Sequence, residues 1–191
     1  MPTGVHIRDP REQLFDAAER VLLRDGPQAL TSRAVTTEAA VAKGVLHRHF
    51  TDFDGFLTEL VADRVARIDG QSAVLRASAG MGTVVDNLVA TLTELFGSVA
   101  VAIVALITFR DDLRARLRAV RPTGVPVLTE ATGMIAAYLA DEQLAGRVPP
   151  DADVDTMAAT LIGAAHLLFA GRESSPPEAA VRRMVTTVIP A

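Results

Sequence analysis

Apolar residues recur along this chain at steps of three and four, the spacing that puts side chains on one face of an α-helix. Leu14, Ala17, Ala18, Val21 and Leu22 make the first such face. Asp9-Pro10-Arg11-Glu12 opens it with a cap, a proline in the first turn and a glutamate three residues on. Gly26-Pro27 ends it. After a Thr51-Asp52 cap, Leu57, Leu60, Val61, Val65 and Ile68 share a second stripe. Gly70 to Gly82, small and polar, then reads as a loop between two domains. Val84 to Phe96 is helical again, and Val99 to Phe109 is so apolar that it should be buried all round. Asp111 to Val120 is amphipathic and rich in arginine, with its charged side expected to be solvated. Pro122-Thr123-Gly124 breaks that helix, and Pro126 to Leu144 forms the next, ended by Gly146 and Pro149-Pro150. Val154, Met157, Ala158, Leu161, Ile162, Ala165, Leu168 and Phe169 keep helical period behind Asp151 and Asp153. Ser175-Pro176-Pro177-Glu178 caps a last helix whose face is Val181, Met184, Val185, Val188 and Ile189. The pattern predicts an all-α protein of about nine helices.

Thr31 to Phe50 departs from this run of long helices. It reads as two short helices with a tight corner at Ala40-Val41. Thr31 or Ser32 caps the first, whose inner face is Val35 and Ala39. The second spans about Ala42 to His49, with Val45 and Leu46 inward and Val41 and Phe50 closing its ends. Lys43, Gly44, His47 and Arg48 are left pointing outward. A short helix with a slim, basic outer face has the shape that enters a DNA major groove, although an ordinary solvated corner has the same spacing.

Ala39-Ala40-Val41-Ala42-Lys43-Gly44-Val45-Leu46-His47-Arg48-His49-Phe50 resembles the end of the DNA-binding domain of the TetR (tetracycline-repressor) family. There Ala-Gly-Val-Ser-Lys-Gly-Thr-Leu-Tyr-Arg-His-Phe is typical. The resemblance covers roughly the first 65 residues. It implies a three-helix helix–turn–helix head over 1–52 and a ligand-binding and dimerisation domain over 53–191, with the helix at 53–69 as connector. It also implies DNA contacts from Thr31, Ser32, Arg33, Ala42, Lys43, Gly44, His47, Arg48 and His49. Four of the departures from the family bear on function. Ala40 replaces the corner glycine, so the turn must avoid or tolerate a left-handed φ. Ala42 replaces the capping serine, His47 the phosphate-contacting tyrosine, and Phe53 a common phosphate-contacting lysine.

Charge changes this picture only locally. The 191 residues carry a net charge of −4, which argues against a uniformly basic binder. Residues 1–50 hold seven Lys/Arg, six Asp/Glu and three His, so the head as a whole is near neutral. Its DNA affinity must come from where the cations sit. Lys43 is the only lysine in the chain, and it falls on the expected recognition surface. Arg8 and His6, in an N-terminal arm over residues 1–8, are free in the sequence to lie along a phosphate backbone. With no cysteine there is no disulfide framework and no thiolate chemistry. The longest uncharged stretch, Thr156 to Gly171, has sixteen residues, fewer than the ~20 that span a bilayer. Together with the lack of an apolar leader after Arg8 and Arg11, this predicts a cytoplasmic protein without a membrane partner.

Catalytic patterns are thin. His47 and His49, two apart, face different ways and share no metal with ease, and Gly80-Met81-Gly82 lacks the spacing and strand of a phosphate loop. No catalytic residue, metal or cofactor is expected, and an enzyme is the least favoured reading. A mostly apolar ligand pocket is expected instead, with Phe96, Ile103, Phe109, Met134, Tyr138, His166 and Phe169 as its lining and Tyr138 and His166 as polar handles. Core packing is the competing role for each of them. The last two helices are expected to form the dimer interface through Met157, Leu161, Ala164, Ala165, Leu168, Val181, Met184, Val185 and Val188. Small residues at 163–165 would let a partner helix approach. Two functions follow. The first is a ligand-responsive regulator, a homodimeric repressor on a palindromic double-stranded operator, released by a small molecule. The second is a helical small-molecule-binding or scaffold protein whose head has lost DNA affinity.

Overall fold

The computed structural model describes residues 9–170 and 175–189, so the N-terminal arm lies outside it. Ten α-helices and no strand are found among the described residues, one helix more than expected. α1 (Pro10–Asp25), α2 (Ser32–Glu38) and α3 (Val45–His49) build the head. Asp9 caps α1 by accepting the Arg11 N–H at 2.9 Å. Phe15, outside the face read from the sequence, joins Phe50 and Phe56 in an aromatic cluster with ring centroids 4.9 to 5.7 Å apart. Leu14, Leu30, Leu46 and Leu57 close around it with no exposed surface.

α4 (Phe53–Ala77) is the main departure from the sequence reading. It runs for 25 residues, through Gly70 and well into the segment expected to be a loop. The actual connection is only residues 78–83. Glycine inside a helix costs about 1 kcal/mol relative to alanine. Burial of Leu75 is worth ~1.5–3 kcal/mol, so tertiary packing outweighs the local preference. The Arg76–Asp141 ion pair, at 2.7 Å, fastens the same turn to the helix at Leu128–Leu144.

The remaining helices are α5 (Val84–Phe96), α6 (Ala100–Phe109), α7 (Asp111–Val120), α8 (Leu128–Leu144), α9 (Val154–Ala170) and α10 (Glu178–Val188). α8 lies between α4 and α9, and α10 packs on α5 and α9. α6 is largely buried, as its composition requires, but Phe109 at its end is 52% exposed. No single helix among the described residues is long and apolar enough to cross a membrane.

One buried carboxylate organises the far end of this bundle. Glu142 has no exposed surface and accepts from Arg147 Nε at 2.7 Å and from the Gly80 N–H at 3.2 Å. Tyr138 donates its hydroxyl to the same carboxylate and accepts from Asn87 Nδ2 at 2.9 Å. Burial and the Glu142 carboxylate push the Tyr138 phenol up to about 12. Burial alone would raise Glu142, but the hydrogen bonds from Arg147, Tyr138 and Gly80 outweigh it and hold its carboxyl below the usual value. Arg147 also donates to the Gly82 carbonyl at 2.8 Å, so the network ties the α4–α5 connection to the end of α8.

Two stability outcomes are expected. Gly70 sits in an exposed helical turn where an added Cβ meets nothing within 4 Å, so Gly70→Ala should raise the unfolding free energy by about 0.5–1 kcal/mol in urea titrations. Glu142→Gln strands a partly buried guanidinium and should cost about 3 kcal/mol at neutral pH. Because the folded carboxyl is depressed, its contribution is complete above ~4.3, the ordinary glutamate value, and is lost as pH falls through the folded value. The gap between wild type and Glu142→Gln should therefore narrow in acid, as denaturation at pH 7 and pH 3 would reveal.

Candidate nucleic-acid interface

α2 begins where the sequence places it. Thr31 accepts the Ala34 N–H at 3.1 Å, and Val35 and Ala39 face the core. Its end is a two-bond turn: the Ala40 N–H donates to the Thr37 carbonyl at 3.1 Å and the Val41 N–H to the Thr36 carbonyl at 3.0 Å. This motif needs a left-handed residue between its arms, normally glycine. Ala40 takes the position at φ 53°, so the corner tolerates the strain and does not avoid it.

α3 is shorter than expected. Ala42 offers no hydroxyl, Gly44 caps the helix without a side-chain bond, and regular helix starts only at Val45. Ala42, Lys43 and Gly44 form a turn closed by the Val45 N–H on the Ala42 carbonyl at 2.9 Å. Buried Leu46 and Phe50 anchor it below. Above, Ala42, Lys43, Gly44, His47 and Arg48 are exposed, as are Thr31 and Arg33 at the start of α2. Ser32 and His49 are half-buried, and the His49 carbonyl accepts from Arg11 Nη1 at 3.2 Å.

Cations in the head fall into two groups. Arg11 pairs with Glu59 and lies 4.5 Å above the Phe50 ring. Arg20 and Arg24 reach Glu38 at 2.7 and 2.8 Å, and their hydrogen bonds, Arg20's first, hold its carboxyl below the usual range. Arg33, Lys43 and Arg48 have no acidic partner among the described residues. All three lie on the surface formed by the start of α2, the turn and α3. Phe53 is withdrawn from that surface: it stacks on Phe56 at 5.7 Å and carries Arg110 over its ring at 5.2 Å. The arginines near α7 are thus not simply solvated, since Arg110 reaches Asp54 and the Leu30 carbonyl and Arg116 reaches Asp52 at 2.9 Å.

Residues 14–60 match the family model for bacterial regulatory proteins of the tetR family. Over these residues the chain is similar to tetR-family regulators. Solved structures share its fold over nearly the whole length at low identity. E. coli NemR in its reduced form is 16% identical over 95% of this chain and 97% of that one, with a TM-score of 0.75. FadR from Bacillus subtilis, in complex with stearoyl-CoA, is 15% identical over 94% and 97%, with a TM-score of 0.69. A TetR-family regulator from Mesorhizobium loti is 17% identical over 94% and 92%, with a TM-score of 0.68. No curated protein matches the sequence.

In the body the seven expected pocket residues do not enclose one space. Phe96, His166 and Phe169 do meet, with rings 6.1 and 5.8 Å apart, and burial lowers the His166 imidazole below its usual value. Ile103 and Met134 are core, Tyr138 belongs to the Glu142 network, and Phe109 faces outward. None of the seven lines the cavities found along α4. Apolar side chains at helical period fill each other's gaps, whereas long polar side chains leave space around them. The expected interface residues split similarly. Leu161, Ala165, Val181 and Val185 have no exposed surface within the single chain, so they are its own core. Met157, Ala164, Leu168, Met184 and Val188 are half-buried, and Leu167, which the sequence reading passed over, is 75% exposed.

The strained corner supplies a direct check. Ala40→Gly removes the left-handed penalty and should stabilise the head by roughly 1 kcal/mol, visible as a higher midpoint in thermal or urea unfolding.

Proposed function

We propose that this chain is a TetR-family transcriptional regulator, a cytoplasmic, non-enzymatic repressor. In this reading it binds a palindromic double-stranded operator as a homodimer and leaves it when a small, mostly apolar effector binds. The head comprises residues 1–52, the body 53–191, and α4 joins them. One observation carries the DNA assignment: within the head Arg11, Arg20 and Arg24 are paired with carboxylates, while Arg33, Lys43 and Arg48 have no acidic partner among the described residues and share one face. Leaving cations unpaired gains nothing for folding, but it leaves them ready to displace counterions from a phosphate backbone.

Specificity from so few contacts requires two heads on a two-fold axis. Ala164, Leu167, Leu168, Met184 and Val188 give α9 and α10 an outward apolar face suited to a second copy. Support for an apolar effector comes from the body's composition and from FadR, a neighbour of the same fold that was solved with stearoyl-CoA. A second reading, a ligand-binding protein with weakened DNA affinity, draws on Phe53, whose ring is occupied by Phe56 and Arg110 where a lysine would reach phosphate.

Selection against the DNA upstream of the chain's own gene, followed by salt-dependent titration, decides between the two. Arg48→Ala should weaken the selected site by ~1–3 kcal/mol if it reads a base. Lys43→Ala should weaken all duplexes alike and lower the salt slope by about one. Unchanged affinity in both variants would favour the second reading. Leu167→Glu leaves the protomer core alone, so it should give a folded monomer that has lost specific binding. Sedimentation of wild type as a monomer at micromolar concentration would refute the dimer.

A further inference from the structure

A cavity of about 340 Å³ lies where the head meets the body. Its apolar wall is Leu23 of α1, Ile68 of α4, Leu95 of α5, Val99 and Ala100 at the start of α6, and Val127 ahead of α8. Such a volume falls at the lower end of the range for small-molecule sites. The polar part of the wall is what makes it more than a packing gap.

Arg64 of α4 lines this cavity with its side chain only 6% exposed. Its Nη1 donates to Asp63 at 2.6 Å and its Nε faces the Glu19 carboxylate, but its Nη2 is buried without a hydrogen-bond partner among the described residues. A buried, charged N–H left unsatisfied is unfavourable, and an acceptor placed beside it relieves that cost. Glu19 Oε1 and Arg64 Nε also lack an aligned hydrogen bond, but they face each other as an ion pair. Glu94 accepts from Gln71 at 2.9 Å. The unfilled group is therefore a donor, and half-exposed Arg67 adds a second positive charge to the same wall.

The backbone carries a further mark. Val127 is buried at φ 77° and ψ −54°, a conformation that a β-branched residue rarely adopts. Strained residues of this kind persist where the surrounding structure enforces them and gather at ligand sites and switch regions.

We propose that this cavity binds a small amphiphilic carboxylate, with its apolar part against Leu95, Val99, Ala100 and Val127 and its carboxylate on Arg64. A carboxylate there competes with Glu19 for the guanidinium. Glu19 belongs to α1 and Arg64 to α4, so occupancy loosens the buried contact that fixes the head on the connector. This coupling rests on the regulator reading above, but the binding itself does not.

Isothermal titration of the full chain with octanoate, octanol and octylamine tests the site without DNA. Octanoate should bind saturably, one per chain, and at least tenfold tighter than octanol or octylamine. Arg64→Gln should erase the preference for octanoate over octanol, and Ala100→Phe should fill the cavity and abolish binding of both. Circular dichroism melts show whether each variant is folded. If Arg64→Gln is unfolded, the octanoate-to-octanol ratio in wild type and the Ala100→Phe result still decide. Equal binding of octanol and octanoate, retention of octanoate by folded Ala100→Phe, or no saturable binding overturns the proposal. Octanoate that binds as expected yet leaves operator affinity unchanged overturns the coupling to the head, while an absence of operator binding altogether counts against the regulator reading alone.

Discussion

Leu57, Val61, Ile68 and Leu75 step along the buried side of α4, and Arg64 falls on the same line. Helical geometry therefore forces a guanidinium into a position where its neighbours are apolar. Burial pushes its pKa down, yet it remains a cation and must be met by anions. Asp63 meets it from the same helix and Glu19 from α1. Burial likewise raises the Glu19 carboxyl, partly offset by Arg64 and Arg67. The placement of the head on the connector thus depends on a pair whose members both pay to be there. Buried pairs are weak sources of net stability, but removing one partner leaves the other stranded. Such a contact specifies an arrangement more than it strengthens one.

The other ties between head and body support this division of labour. Arg116–Asp52 is half exposed on both sides, and the Arg110 bond to the Leu30 carbonyl is long at 3.3 Å, so neither contributes much to stability. Phe56, Leu57, Leu60 and Val61 each bury a whole side chain, worth about 1.5–3 kcal/mol apiece. Cohesion of the head comes from that aromatic and aliphatic core, and the ion pairs set its angle. These four side chains belong to α4, so the head shares its core with the connector and the polar contacts act on that joint unit. The Glu142 network does the opposite at the far end of α4, where every polar group is matched and the connection to α5 is held fast.

What the sequence made legible follows from the range of the forces involved. Caps and short-range periodicity located α1, α2 and the corner to within a residue or two, because Asp9, Thr31 and Gly26 act on their own turns. Ala40 announced a strained corner, though only the backbone reveals that the strain was accepted. Gly70 misled because its preference is local while the packing of Leu75 is not. α3 came out short because Ala42 supplies no cap to carry the helix back to residue 42. Arg64 could have been found by counting: it lies four residues from both Leu60 and Ile68, inside the stripe already drawn. The cavity beside it had no such signature, since it arises where helices distant in the chain leave room around long side chains. Tyr138 and His166 looked equivalent as polar residues in apolar helices, yet one proved to be a member of a matched network and the other a neighbour of two phenylalanines.

The recognition surface shows how a chain of net charge −4 can still address a polyanion. Bulk charge acts through a field that physiological salt screens within about 8 Å, whereas a cation at the contact acts inside that distance. Pairing Arg11, Arg20 and Arg24 with carboxylates removes them from the long-range field and leaves Arg33, Lys43 and Arg48 to act at the surface. So few free cations release few counterions, which keeps binding to arbitrary duplex weak. A weak non-specific background is favourable for specificity, because the genome offers vastly more wrong sites than right ones. In the proposed dimer the shortfall in affinity is made up by geometry, with two heads held at a fixed spacing. On that reading the burden returns to α4, where buried Arg64 faces Glu19 of α1.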